Sequence, residues 1–221
     1  MPYTCYRGKD IKSIIQVLPD EQILHMSHVS ILVSRLTKML IEDVLYIESA
    51  YIPEYKYFGR AAFYHDIGKA LIPQKLLEKP GKLSNEEYLI IQKHTLYAKE
   101  VFSMISSNMI SGMPVRLIPL ALDSAVYHHE WWNGKGYPFG IAHENIPLIA
   151  RITSICDAYD AITSNRAYRK ARAHCDACRE LDANAGTQFD PLLAKVFLDN
   201  EQEIKSLCKW LSIAEYGSNE Y

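Results

Sequence analysis

Five histidines and three carboxylates fall at spacings that chemistry can use. Glu21 and His25 stand four residues apart in a stretch with helical rhythm, so both side chains leave one helix face about one turn apart. His65 and Asp66 are adjacent at an expected helix end and are followed closely by Gly68. His94 falls within a further helical stretch, His128-His129 closes another, and Asp157 lies inside a third on Cys156-Asp157-Ala158-Tyr159-Asp160. Imidazole with carboxylate and no thiolate suits Fe, Mn, Co, Ni or Zn in a multi-metal hydrolytic site. Any one of these histidines alone would read as an ordinary core or surface residue. The set gains meaning from its order and from the loop that follows His129.

The elements that must hold these residues are helices. Apolar residues at Ile23, Leu24, Met26, Ile31, Leu32, Leu36, Met39 and Leu40 follow an i, i+3, i+4 pattern and predict a helix over residues 20–41, with Asp20 as its N-cap. A second helical segment covers 54–64, and Lys79-Pro80-Gly81-Lys82-Leu83 is a turn. Ser84 with Glu87 forms a capping-box signature and opens a helix expected to run to about Ser106. Further helices are expected over about 115–128, from Pro147 to about Ser164, and over 176–183 and 191–200. Between them, Gly134, Gly136, Pro138 and Gly140 mark a long irregular loop. No alternating strand pattern of any length is present. The fold class is all-α, in one domain of residues 21–200 with a helical N-terminal extension (1–20) and a C-terminal extension (201–221).

In their order, these residues resemble a known family. His65-Asp66-Ile67-Gly68-Lys69 is similar to its HD signature, and His128-His129-Glu130 with Gly134 and Gly136-Tyr137-Pro138 is similar to its HHE and GYP signature. The stretches 79–83, Ile146-Pro147, 150–152, 157–161, Arg166-Ala167-Tyr168-Arg169 and 186–191 agree as well. The chain is identified as a member of the HD-GYP family of bacterial cyclic-dinucleotide phosphodiesterases, over about Glu21 to Leu198. The resemblance implies an HD-superfamily helical bundle with an added GYP loop and C-terminal helices.

It also implies metal ligands at His25, His65, Asp66, His94, His128, His129 and Asp157. Family members with a Glu four residues before the first His bind three metals rather than two. Glu21 holds that position, so of two or three divalent ions, with Fe or Mn favoured, three are expected. Asp66 can bridge two ions, and a water held between them loses a proton near neutral pH to become the nucleophile. Three dications against the ligand carboxylates of Glu21, Asp66 and Asp157 leave a local charge of about +3, which suits a dianionic substrate. By the same resemblance Asp66 and Lys69 are catalytic, with Lys69 stabilising charge that develops on the phosphate. Gly136, Tyr137, Pro138, Arg166 and Arg169 are assigned to the substrate.

The implied activity is hydrolysis of cyclic di-GMP to pGpG, with a second cut to GMP left open. Two other readings stand beside it. One is a non-catalytic module that binds a cyclic dinucleotide or a diguanylate cyclase; the other is a different HD-type reaction, nucleotide phosphohydrolase or di-iron oxygenase. Seven or eight intact ligands disfavour the first, and Lys69 with the GYP loop disfavours the second. His28 stands where the family usually has Arg, and is read as a surface or core residue or as a partner of the ligands. Asn133 replaces a common acidic residue in the loop but remains a turn former. Trp131-Trp132 is either a contact surface or a packed lid.

Composition narrows the alternatives. Of 221 residues, 24 are basic and 26 acidic, with no like-charge block, so binding of polymeric nucleic acid by a basic surface is not expected. No apolar run nears the roughly 20 residues of a membrane span, and residues 1–10 lack a secretory h-region. The five scattered cysteines read as free thiols in a bacterial cytoplasm. The lone Cys175-Asp176-Ala177-Cys178 lacks the second pair or βαβ context that a zinc or redox reading needs, and His143 and His174 receive no special role. About 20 residues at each end are too few for a sensor domain, so three expectations stand side by side: constitutive activity, regulation by another chain, or a piece of a longer protein. The partners considered are a second copy and a separate regulatory, GGDEF-type chain.

Overall fold

The computed structural model describes residues 8–42, 54–165 and 170–217. Helices dominate, as the periodicity requires. The central one, α2 (Asp20–Glu42), follows the short α1 (Ile11–Ile15) and buries His25, Met26, Val29, Leu32, Val33, Leu36, Met39 and Leu40 along one stripe. Each such aliphatic side chain contributes about 1.5–3 kcal/mol when fully buried, so this stripe organises the bundle. Against α2 pack α3 (Phe58–Ala62) and α8 (Leu148–Thr163), and α7 (Ile118–Tyr127) closes the layer by touching both. Helix α2 begins at Asp20 as expected, but Asp20 is its first residue and not its cap, because the Pro19 carbonyl accepts from the Gln22 and Ile23 amides.

The expected single helix after Ser84 is two. The capping box forms as read, with Ser84 Oγ accepting from the Glu87 amide and Glu87 Oε2 from the Ser84 amide, and opens α5 (Asn85–Gln92). The chain then turns at Lys93 and restarts as α6 (His94–Ser106). This break places His94 at a helix start, facing the 3-10 turn Ile67–Leu71 that follows Asp66; α4 (Gln74–Leu77) comes between that turn and α5. Gly68 lets the turn lie directly on α6. A Cβ there would fall 1.9 Å from the His94 carbonyl oxygen, so any side chain would push the HD segment away from His94.

The remaining helices are α9 (His174–Ala183), α10 (Pro191–Asp199) and α11 (Glu201–Gly217). Asp190 caps α10 by accepting from the Leu192 and Leu193 amides, and its other oxygen accepts from Arg151 Nη1 at 2.6 Å, tying α10 to α8. A parallel pair of two-residue strands, β1 (Lys9–Asp10) and β2 (Ile110–Ser111), and a single parallel bridge between Ala185 and Phe189 are the departures from an all-helical reading among the described residues. Both are too short to produce an alternating pattern. Ile11 and Ile14 before α2, and Ile204 in α11, join the same hydrophobic core as the central helices. Among the described residues no helix is long and apolar enough to cross a membrane.

Candidate metal centre

Asp66 is the hub of the site. It is 2% exposed, and its two oxygens face different sets of histidines. Oδ1 lies 3.3 Å from His94 Nε2 and 4.0 Å from His128 Nε2, and Oδ2 lies 3.3 Å from His65 Nε2 and 3.8 Å from His25 Nε2. Oδ2 also accepts from Lys69 Nζ at 2.7 Å and from Gln22 Nε2 at 2.8 Å. Burial alone would raise the Asp66 carboxyl; the Lys69 ammonium, with the neighbouring His65, outweighs it and holds the group well below the ordinary carboxylate range.

Two ligand groups flank this hub. His94, His128 and His129 bring their donor atoms together on one side, and His25, His65 and Asp157 on the other; His65, Asp66 and His128 link the two. Adjacent residues at helix ends produce this geometry. His65-Asp66 follows α3 and His128-His129 follows α7, where a chain leaving helical geometry can send neighbouring side chains into one space.

The histidines are prepared as ligands. Nδ1 of His65, His94 and His128 faces the carbonyl of Ala62, Ile91 and Ser124, at 3.0, 2.7 and 3.0 Å. A carbonyl can only accept, so each Nδ1 carries a hydrogen and each ring turns its Nε2 inward. Burial pushes His94 down to about 3 and His129 down to about 4, and holds His128 well below its ordinary value, so these rings are neutral. Two buried atoms, His65 Nε2 and Asp66 Oδ1, have no hydrogen-bond partner. Orphaned buried acceptors of this kind are costly, and an inward lone pair beside an inward carboxylate oxygen fits a divalent cation. The donor set, all nitrogen and oxygen, suits Fe, Mn, Co, Ni or Zn.

His25 differs from the others. Its Nδ1 lies 2.6 Å from Asp160 Oδ2 and its Nε2 3.0 Å from Asp157 Oδ1. Burial opposes its charged form, but these two carboxylates prevail and raise it to about 9. Asp160 also faces His28 Nδ1 at 3.1 Å. His28 is thus a partner of the ligand shell through Asp160. The roles of Asp160 and Gln22 were not read from the sequence. Asp160, three residues after Asp157 on α8, shares its face, and that spacing was the available signal.

Of the expected ligands, His25, His65, Asp66, His94, His128, His129 and Asp157 come together, and Lys69 joins them. Glu21 does not: it is exposed in the first turn of α2 and belongs to none of the groups. Arg166 and Arg169 lie outside the described residues. Gly136, Tyr137 and Pro138 lie beside the centre. The Tyr137 ring stacks on His129 with centroids 4.8 Å apart, and its amide donates to the His129 carbonyl. Gly136 passes so close to the chain that a Cβ would meet the Trp131 amide nitrogen at 2.2 Å.

The loop is anchored at several points. Glu130 Oε1 accepts from the Phe139 amide, Asn133 Oδ1 accepts from the Lys135 amide, and the Trp132 and Asn133 amides donate to the carbonyls of Gln188 and Thr187. Trp132 packs on His143 and Arg151, whereas Trp131 is exposed. A cleft of about 330 Å³ opens over the centre, lined by Tyr88, Gln92, His129, Tyr137, Asp157 and Gln188 among others.

Comparison with known proteins agrees with this geometry. Residues 52–193 match the HD domain family. A probable cyclic di-GMP phosphodiesterase of Vibrio cholerae is 39% identical over 145 residues, covering 66% of this chain and 32% of that protein. The cyclic di-GMP phosphodiesterase response regulator RpfG of Xanthomonas campestris is 34% identical over 189 residues, covering 86% and 45%. A 3'3'-cGAMP-specific phosphodiesterase 2 of Vibrio cholerae is 37% identical over 139 residues, covering 63% and 25%. The chain thus spans between a quarter and a half of the length of these relatives. With the HD pair, the paired histidines and the GYP loop assembled around one buried aspartate, the chain belongs to the HD domain family, in its HD-GYP branch.

Proposed function

We propose that this chain is a metal-dependent phosphodiesterase that opens cyclic di-GMP to pGpG and then cleaves it to GMP. The observation that carries the reading is the ring of inward-facing Nε2 atoms around Asp66 at the floor of an aromatic-edged cleft. His94, His128 and His129 would hold one divalent ion, His25, His65 and Asp157 a second, and Asp66 would serve both. Two ions are favoured over three, since a third would require the exposed Glu21 to join from the rim. Fe or Mn is favoured. When bound, such ions supply Lewis acidity toward a phosphodiester.

The chain's own residues do the rest. The carbonyls of Ala62, Ile91 and Ser124 fix three ring tautomers, and Asp160 fixes the ring of His25. Gln22 holds both Asp66 Oδ2 and, through Oε1, Lys69 Nζ at 3.1 Å, so the ammonium is poised at the hub. There it can donate to phosphate oxygens as their charge grows. Tyr137, packed on His129, closes one side of the cleft and offers a ring edge to a nucleobase. Arg166 and Arg169 are assigned to the ground-state substrate. The names of relatives support a cyclic dinucleotide, and those specific for 3'3'-cGAMP make the second base the open variable.

Turnover of cyclic di-GMP, 3'3'-cGAMP and a generic phosphodiester by Fe- and Mn-loaded protein tests the reading. Cyclic di-GMP should be cleaved, and Asp66→Ala should lower turnover by at least ~10³ together with bound metal, because no neighbour replaces a shared carboxylate. Tight binding of cyclic di-GMP without cleavage under any metal would favour the binding module. Cleavage of mononucleotides alone would favour another HD-type reaction.

A further inference from the structure

A second group of metal-ligating side chains lies away from the centre, where α9 meets α11. His174 and Cys178 are one turn apart on α9, and Glu201 is the first residue of α11. His174 Nε2 lies 3.5 Å from Cys178 Sγ and 3.4 Å from Glu201 Oε2, and the three donor atoms are mutually within 4.8 Å. With zinc bonds of about 2.3 Å to sulfur and about 2.0–2.1 Å to nitrogen and oxygen, tetrahedral geometry separates N and S by about 3.5 Å and N and O by about 3.3 Å. The observed spacings match both.

His174 Nδ1 lies 2.8 Å from the Tyr159 hydroxyl, so an Nδ1–H donated there leaves Nε2 bare. Cys178 Sγ lies beside the ring, 3.5 Å from Nε2 and 3.9 Å from Nδ1, and would swing toward the Nε2 side to share an ion with it. Cys178 is buried, while Glu201 is partly open to solvent and gives an ion a way in. Cys175, the other cysteine of the CxxC, is exposed and outside the group.

We propose that His174, Cys178 and Glu201 form a second zinc site, which joins α11 to α9 and keeps its fourth position open to water. The mixed nitrogen, sulfur and oxygen donors suit borderline Zn²⁺ and set this site apart from the sulfur-free centre around Asp66. Through Tyr159, it also braces α8, which carries Asp157 and Asp160.

The test uses sulfur as its signature. The reduced full chain is titrated with Co²⁺, and thiolate-to-cobalt charge-transfer absorption is followed; the histidine–carboxylate centre gives none. The band should appear in wild type and in Cys208→Ala, vanish in Cys178→Ala, and be bleached by Zn²⁺, which outcompetes Co²⁺. Glu201→Gln, at a partly exposed position, should keep the fold and weaken Co²⁺ binding at this site at least about tenfold. Absence of the band at saturating Co²⁺, or its survival in Cys178→Ala, overturns the proposal. If Cys178→Ala does not fold, unchanged Co²⁺ affinity in Glu201→Gln overturns it instead.

Discussion

Replacing Asp160 by alanine is expected to loosen the metal centre without touching a proposed ligand. Asp160 is 4% exposed and holds the Nδ1 atoms of His25 and His28 at 2.6 and 3.1 Å, with Ser164 Oγ at 3.1 Å. Removing it leaves the His25 ring free to rotate and less basic at Nε2. Loss of such an orienting carboxylate lowers metal affinity by about 10–100-fold, equivalent to about 1.4–2.7 kcal/mol. The buried His25 and the half-buried His28 also lose a partner, which costs the metal-free fold about 1–3 kcal/mol. Isothermal titration of chelator-treated protein with Mn²⁺ measures the first effect, and thermal melting the second. Because the defect lies in ion binding, saturating Mn²⁺ should restore kcat to within a few-fold of wild type. Asp160→Asn, which keeps an acceptor but not the charge, should fall between wild type and alanine. An unchanged Mn²⁺ affinity would refute the reasoning. So would a kcat that stays low at saturating metal, since Asp160 would then act on the reaction itself.

Lys69→Ala should lower kcat by roughly 10²–10³ with little change in KM, whereas Arg166→Ala should raise KM about tenfold; steady-state kinetics at saturating metal reveal a reversal of these roles. Elemental analysis should find two ions per chain in wild type and in Glu21→Ala, and a third ion that disappears in Glu21→Ala would restore Glu21 as a ligand. His25 keeps its proton up to about pH 9 in the metal-free protein, so its charge pairs with Asp157 and Asp160 stabilise that form at lower pH and are lost as pH rises through about 9. Loading ions at pH 7.5 should therefore release protons, detectable as buffer-dependent heats, and no release would place the proton elsewhere. Gly136→Ala must shift the loop, since its Cβ would sit 2.2 Å from the Trp131 amide; KM should rise several-fold while bound metal is retained.

What the sequence made legible follows from how far apart the cooperating residues lie. His65-Asp66 and His128-His129 are neighbours, and pairs of such residues at helix ends are visible as text. Asp160 and Gln22 are single residues on helices, and nothing local separates a carboxylate that orients a ligand from one that faces water. Only the approach of α8 to α2 does so, by bringing Asp160 onto His25 and His28. The same limit explains Glu21. Its four-residue spacing from His25 places both on one face of α2, yet His25 lies one turn deeper and is buried while Glu21 stays at the rim. The break at Lys93 carries no Gly or Pro, so apolar periodicity runs through it unmarked. Its cause is tertiary: the Ile91 carbonyl takes the His94 ring hydrogen, and Gly68 packs on the His94 carbonyl.

Two of the stretches that match the family are structural in three dimensions. Arg151 and Asp190 meet each other and fasten α10 to α8, and the 186–190 turn accepts from the Trp132 and Asn133 amides of the GYP loop. That loop in turn carries Tyr137 onto His129. The chain of contact thus runs from the C-terminal helices through the loop to a ligand, so residues far from Asp66 position the centre without touching it. It follows that substitutions at Arg151 or Asp190 should act through loop placement, moving KM together with stability, while leaving the tautomers fixed by Ala62, Ile91 and Ser124 intact.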